Sequence, residues 1–480
     1  MDLSRSASLG AEAGYAPRVF DSVDVPADPE VLQTLVRGVA AVDLAAPPVV
    51  LPDFHHKHDM EMPSSIAGAT SGTIRPAFTS ASVNCGMALM ALDTDPPDQR
   101  AVARLFGAVA TRYPYPPNWR RELTVSDVLR AASEGTAFGV DRYGLEPQAL
   151  THVEEGGRLD LDRYGGTARL RRELPGLSFQ ASRFRFGTIG PSNHFVELQV
   201  VEEIHDPVAA AALGVAKGQL TLQYHAGGGM LTGQVGRLFA RRRKINGPMA
   251  LEMAVQRPLA HLATARSREQ LRQRLSYYFR SGCPAIPLDG DEGERVMLAT
   301  SAAMNYGFAF RAATYGTLST LLTQHLGTRG TRLVVDSPHN SIYEEEVGGQ
   351  RALVHRHNSC RAYPADRMPP GTAFGTVGQA VLVPGMHYTS SYLCVASTGA
   401  EQSLYSACHG AGTVIDQFAR AGRSTVHDEG HVTYRYRYGR DEPELVPHLD
   451  DRGVDAALAI LVRHDLVRPV ARMRPLAVLN

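Results

Sequence analysis

SNHFVELQVVEEI, residues 192–204, is the stretch on which the reading of this chain turns. From Phe195 to Ile204 apolar and polar residues alternate well enough for a β-strand, which carries Glu197 on the same face as Phe195. His194 stands immediately before it. The pattern recurs: LTLQYHAGGG (220–229) reads as a strand running into a glycine turn, and TRLVVDSPHN (331–340) as a strand then a turn. Five short motifs result, each centred on one Cys or His: VNCG (83–86), SNHFVE (192–197), YHAGGG (224–229), SPHN (337–340) and CHGAG (408–412). Gly, Asn or Pro flank each, the residues that make tight turns and let backbone approach a ligand. One soft thiolate with several imidazoles is a transition-metal ligand set, suited to zinc or a similar ion. The motifs are not local C-x-x-C pairs, so a folded chain must bring them together.

The rest of the chain agrees with a large folded protein. It has 480 residues, 44% hydrophobic and 20% charged, enough for one large domain or two to three smaller ones. Lys+Arg and Asp+Glu balance at 49 each, which argues against coating nucleic acid by charge alone. Arg241, Arg242, Arg243 and Lys244 form one short basic run, read as a solvated helix end or loop. Five scattered cysteines (85, 283, 360, 394 and 408) are no disulfide framework and fit a reducing cytosol. Cys360, Cys394 and Cys408 read as packing residues. No signal peptide and no run of about eighteen apolar residues is visible, so a cytoplasmic protein without a membrane span is expected. Among 18 histidines, His55, His56 and His58 cluster beside Asp53 and Asp59.

Helical spacing is found at 29–42, 100–113, 126–135 and, over a long buried stretch, 292–325. Strand patterns lie at 49–54 and in RALVHRH, GQAVLVPG and SSYLCVAS. Residues 155–166 are polar and Gly-rich and read as a surface insertion. CHGAGTVIDQFARA reads as a turn opening a helix near residue 411, where Gly410 and Gly412 make an anion cradle. VDAALAILVRHDL closes the chain as a helix before the strand-like RPLAVLN. No repeat and no linker appears, and motifs from every region must meet, which favours one compact α+β domain.

In order, these motifs resemble the RtcB family of RNA-splicing ligases over roughly residues 45–480. PDFHHKHD (52–59) resembles the family's PDVHPGYG, VNCG its D-I-N-C-G, and SNHFVE its G-N-H-F-x-E. YHAGGG resembles its H-S/T-G-S-R-G, and AMNYGFAFR (303–311) its A-x-N-Y-A-x-x-N-R. SPHN, HRHNSCRAYP, VPGMHYTSSY and CHGAG follow in the family's order. The resemblance implies a single large α+β domain, central β-sheets flanked by helices, over 28–480, after a flexible N-terminal arm at 1–27. It implies manganese, with zinc or another divalent metal as the alternative, and GTP as cofactors. RNA ends, not DNA or membrane, are the implied partners, in tRNA processing. Family members guanylylate a histidine, pass GMP to an RNA 3′-phosphate, and let a 5′-hydroxyl displace it; a 2′,3′-cyclic phosphate is opened first. Carried over by position, His409 is the nucleophile. Cys85, His225 and His339 hold one metal, and Cys85 with His194 contributes to another. Asn193, Phe195 and Glu197 lie against the nucleotide or its metal-bound phosphates, and Gly410, Ala411 and Gly412 let it approach the backbone.

The departures define the alternatives. Ser82 stands where the family has a metal-binding Asp, and a neutral hydroxyl is the weaker ligand. Arg positions of the family fall on Ala88, Gly229 and Thr413. The P-G-S-M-G turn has Met386 and Tyr388, and the near-terminal Lys falls on Asn480. His357, His387 and the His55/His56/His58 cluster are candidate substitutes. The leading expectation is an RNA ligase. The alternatives are a diverged metal-dependent enzyme acting on another phosphate or small molecule, and a non-catalytic RNA-end or nucleotide-binding protein.

Overall fold

Two sheets are joined by a single residue, His339, and this junction organises the molecule. The structure is a computed structural model that describes residues 16–480 apart from 41, 57–59, 116, 191–192, 244, 428 and 441. Its strands, in chain order, include β1 (Arg18–Val19), β2 (Val49–His55), β3 (Ser64–Thr70), β4 (Gly86–Asp93), β5 (Phe195–Ile204), β6 (Leu220–Ala226) and β7 (Gly330–Pro338). They continue with β8 (Asn340–Val347), β9 (Gln350–His357), β10 (Ser359–Arg361), β11 (Ala380–Val383), β12 (Ser391–Ala396), β13 (Ser406–Cys408) and β14 (Val467–Leu479). The larger sheet runs β11-β12-β14-β5-β6-β4-β7, with a hairpin (Val432–Tyr436, Glu444–Pro447) added beside β14. The smaller runs β1-β2-β3-β9-β8. β7 closes the first at Pro338 and β8 opens at the edge of the second at Asn340.

The larger sheet is covered on both faces, which explains why its central strands are continuously apolar. Along β4, Ala88, Met90 and Leu92 enter the main core while Met87, Leu89 and Ala91 enter a second cluster on the opposite face. The main core packs under the helix α5 (Asp291–Leu326), whose small and apolar residues surround the axis and are buried through most of its length. Around it stand α2 (Gln99–Arg112), α3 (Val125–Glu134) and α4 (Gly229–Leu238). α1 (Pro29–Val39) starts where the Asp28 side chain accepts from Glu30 N and Val31 N and Pro29 pre-sets the first turn. α6 (Gly412–Arg420) and α7 (Arg452–Arg463) pack on the smaller sheet's core, which also takes Cys360, Cys394 and Cys408. The fold is α+β in a single domain, and no described helix is long and apolar enough to cross a membrane.

Three details differ from the sequence reading. Residues 155–166 are pinned rather than a free insertion: Gly157 and Leu161 are buried, and the Asn305 side chain of α5 brackets the backbone of Leu159. In the basic run, Arg242 is buried against Glu61 at 3.2 Å and donates to Thr79 O and Pro76 O. Lys244 lies outside the described residues. Of the expected arm, Arg18 and Val19 pair with Val49 and Val50, and Phe20 and Val25 are buried; residues 1–15 lie outside the described set.

Candidate functional site

Strand register alone brings four of the motif residues together. β5, β6, β4 and β7 are neighbours, with Phe195 opposite His225, Met87 opposite His225, and Gly86 opposite Pro338. Cys85, His194 and His339 each lie one residue beyond a strand end in this same row, so all converge on His225. Cys85 Sγ is 3.3 Å from His225 Nε2 and 3.4 Å from His194 Nε2, and the Nε2 atoms of His225 and His339 are 3.0 Å apart. The His339 amide donates to Cys85 O at 2.9 Å, tying the two turns together. Asn84 turns the chain into Cys85 with φ of 59°, a conformation Asn tolerates. Its carbonyl accepts from Arg311 of α5, which is itself paired with Asp336 at 2.6 Å. Gly86 is needed here because a Cβ would meet Ser337 O at 2.6 Å and Pro338 Cα at 2.8 Å.

This donor set fits a divalent cation. One donor atom each from Cys85, His225 and His339 lies within 4.8 Å of the others, all three residues being buried. His225 Nδ1 is 2.7 Å from Asn193 O, and a carbonyl can only accept, so Nδ1 carries the proton and Nε2 presents its lone pair. Burial, then the charge of nearby groups, holds His225 and His339 well below the usual imidazole range, so both are neutral donors. Burial pushes the Cys85 thiol up to about 11, against the Arg311 charge and a hydrogen bond from the Ser82 side chain. His194 reaches the sulfur from outside this three-residue group.

His409 completes the cluster from a separate two-stranded sheet. β13 pairs with β10 and ends at Cys408, and α6 begins three residues after His409. The His409 ring stacks on His339 with centroids 3.6 Å apart and planes at 5°. It opens on a cavity of about 440 Å³ lined also by Asn193, His194, Phe195, Glu197, Gly410 and Gly412. Ala411 does not line it; its side chain is buried in the smaller core. Asp53, at the end of β2, accepts from Thr413 N at 2.6 Å and so caps α6 from another strand. His55 sits 3.3 Å from Thr413 Oγ1 on the same wall, and His387 lines it too. His56 faces a separate cavity and His58 lies outside the described residues. None of these joins the Cys85 donor group.

Glu197 gives this cavity a pH signature. Burial pushes its carboxyl up to about 8, with only the Gln199 amide, 2.7 Å away, favouring the ionised form. Between the ordinary value of 4.5 and about 8 the unfolded chain loses this proton while the folded chain keeps it. Stability therefore falls as pH rises through that window. Glu197→Gln is expected to match the parent in thermal unfolding near pH 4–5 and to exceed it at pH 9 by a few kcal/mol, since each pH unit of that window is worth about 1.4 kcal/mol. Equal melting temperatures at pH 9 would exclude the buried, proton-holding Glu197.

The positions that depart from the family pattern fall into place. Met386, Thr413 and Asn480 line the His409 cavity, and Tyr388 donates to Asp416 at 3.2 Å beside it. Among its described lining residues there is no Lys or Arg. Ala88 is fully buried in the main core and lines neither the His409 cavity nor the one beside it. Ser82 and Gly229 line a second cavity, of about 400 Å³, that shares His194 with the first and carries Arg185 and Arg237. These two arginines escape a sequence reading because no motif marks them. The one sequence mark near Arg237 is the glycine turn that opens α4, whose last turn carries this cation.

The arrangement is that of an α+β protein with a buried thiol–imidazole cluster between two cavities. The chain belongs to the RtcB family: a family model described as tRNA-splicing ligase RtcB matches residues 36–480. It is 28% identical over 457 residues to the tRNA-splicing ligase RtcB of Thermococcus kodakarensis, covering 90% of this chain and 86% of the relative. It is 26% identical over 431 residues to the RNA-splicing ligase RtcB of Mycobacterium tuberculosis, covering 84% and 89%. With the tRNA-splicing ligase RtcB of Pyrococcus horikoshii the identity is 29% over 373 residues, 74% of this chain. The chain spans only 38% of that relative's length and 42% of the one from Pyrococcus abyssi.

Proposed function

We propose that this protein is a cytoplasmic, nucleotide-dependent RNA ligase whose catalytic domain is residues 28–480. The observation that carries this is His409, stacked on the metal-type ligand His339 and lining a cavity with Asn193, Phe195 and Glu197. In the first step a His409 ring nitrogen attacks the α-phosphorus of GTP, and pyrophosphate leaves. In the second an oxygen of the RNA 3′-phosphate attacks the same phosphorus and the imidazole leaves, giving an RNA–GMP anhydride. In the third the 5′-hydroxyl of another strand attacks the RNA phosphorus, loses its proton, and GMP departs. Cys85, His225 and His339, with His194 beside them, would hold manganese or a similar divalent cation, which would supply positive charge to the phosphates. Asp53 takes up the Thr413 and Val414 amides at the start of α6 and so keeps that helix and the loop carrying His409 in place. Phe195 and Asn193 frame the nucleotide, and Glu197, protonated at neutral pH, adds no charge against it.

One observation favours a second reading, a diverged enzyme with another phosphate donor. The His409 cavity offers no described Lys or Arg to a triphosphate, while Asp53 and Asp416 line it. A single experiment addresses both. With Mn²⁺ and α-labelled GTP the protein should form an acid-labile adduct, absent in His409→Ala, and should then seal 3′-phosphate to 5′-hydroxyl RNA. No adduct with GTP sinks the GTP-dependent reading. An adduct with a different nucleotide establishes the second reading, and an adduct persisting in His409→Ala removes His409 as the carrier.

A further inference from the structure

The cavity on the far side of His194 holds the cations that the His409 cavity lacks. Arg185 precedes β5 in a left-handed turn with φ of 57°, and its buried Nε has no hydrogen-bond partner among the described residues. Arg237 lies in the last turn of α4, where Nη1 donates to Gly233 O at 2.8 Å. Neither guanidinium reaches a carboxylate at ion-pair distance among the described residues. Glu252, the acid nearest in effect to Arg237, is engaged by the Gln234 and Gln256 amides at 2.7 and 2.6 Å. Burial lowers the pKa of both arginines, and the charge of Arg242 adds repulsion at Arg237. The C-terminal end of α4 offsets part of the Arg237 charge, but Arg185 has no such compensation. Two half-buried positive charges without a counter-ion are costly unless an anion arrives to pair with them.

The same wall explains why these two arginines are used. Gly229 has φ of 84°, and a Cβ there would lie 2.6 Å from Phe310 and 2.8 Å from Tyr306. No side chain fits, so the guanidinium that the family pattern carries at this position cannot be housed. Arg185 and Arg237 reach the same cavity from two other elements, beside Ser82 and the ligand His194.

We propose that Arg185 and Arg237 form the subsite for the terminal 3′-phosphate of the RNA, on the side of the metal cluster opposite the nucleotide. This rests on the ligase reading. The shared chemistry is a phosphate dianion, and two sources compete for it: the RNA end and the β,γ-phosphates of GTP. The test separates them. Arg185→Ala, Arg237→Ala and the double variant are assayed for adduct formation from GTP, and for transfer from preformed adduct to 3′-phosphate RNA at varied RNA concentration. Each single variant should raise the RNA concentration for half-maximal transfer by about tenfold or more, the worth of one charge-assisted hydrogen bond. The GTP dependence of the adduct step should stay within about twofold, because the RNA end takes no part in it. Arg185→Lys should recover part of the loss, which a merely misfolded variant would not. An unchanged RNA dependence overturns the subsite, and a shift falling on GTP instead assigns the arginines to the nucleotide. If the parent forms no adduct, the ligase reading fails, and binding of a 3′-phosphorylated against a 3′-hydroxyl oligonucleotide decides the subsite. Preference for the phosphate, lost in the double variant, keeps it; equal binding by parent and double variant overturns it.

Discussion

Cys85→Ala is expected to empty the metal centre, from about one divalent ion per chain to under about a tenth, as read by elemental analysis after gel filtration. The sulfur is the only anionic donor in the group, and two imidazoles reach it at 3.3 and 3.4 Å. Without it, neutral imidazoles alone face a dication in a buried site. The parent is expected near one equivalent rather than two, because Ser82 offers a hydroxyl where a second ion needs a carboxylate. A pH series makes the assignment specific. Burial holds the Cys85 thiol up to about 11, so binding must displace its proton. Apparent affinity should therefore rise by up to about tenfold for each pH unit between 6 and 9, and the residual affinity of Cys85→Ala should lack this slope. A full equivalent of metal in Cys85→Ala, or a flat pH profile in the parent, would place the ion elsewhere. Sealing of RNA ends should fall together with metal content if the ligase reading holds.

Much of this centre was legible in the sequence, for a definable reason. Cys85, His194, His225 and His339 all sit in the same row of a sheet, at or one residue beyond strand ends, and such positions announce themselves as an alternating run stopped by Gly, Asn or Pro. The strands themselves, β5 and β6 above all, follow the expected spans closely. Charge compensation was not legible. Arg185 and Arg237 are ordinary members of a set of 49 Lys and Arg, and only the cavity makes them neighbours. The same holds for Arg242, whose run of like charges reads as solvated until Glu61, distant in the chain, arrives beside it. Residues 155–166 misled in the opposite sense: their polarity is real, yet Asn305 and the close approach of Gly157 O to Thr136 N fix them from the main core. Periodicity reports which face is buried; it is silent on which distant partner does the burying.

Arg311→Met is expected to destabilise the fold by roughly 3–5 kcal/mol, the cost of leaving a buried charge partner behind. Arg311 is fully buried on α5, holds Asp336 of β7 at 2.6 Å, and donates to the carbonyl of Asn84. Asp336 lies opposite Ala88 in the sheet, so it has no route to water. Burial already pushes its carboxyl up against the pull of the guanidinium, and removing Arg311 leaves it to take up a proton. The two partners of Arg311 make different predictions. The ion pair concerns stability, whereas the Asn84 contact concerns the turn that presents Cys85. In Arg311→Met/Asp336→Leu the buried carboxylate is gone, and apolar side chains fill the space, so most of the lost stability should return. The Asn84 carbonyl stays without its donor in both variants. Metal affinity should therefore remain depressed in the double variant by about ten- to a hundredfold, the usual effect of removing a group that orients a ligand. Chemical denaturation and metal titration on the same two proteins separate these contributions. Recovery of both quantities together would mean that Arg311 serves packing alone, and recovery of stability without affinity would make it the link between the long central helix and the metal centre.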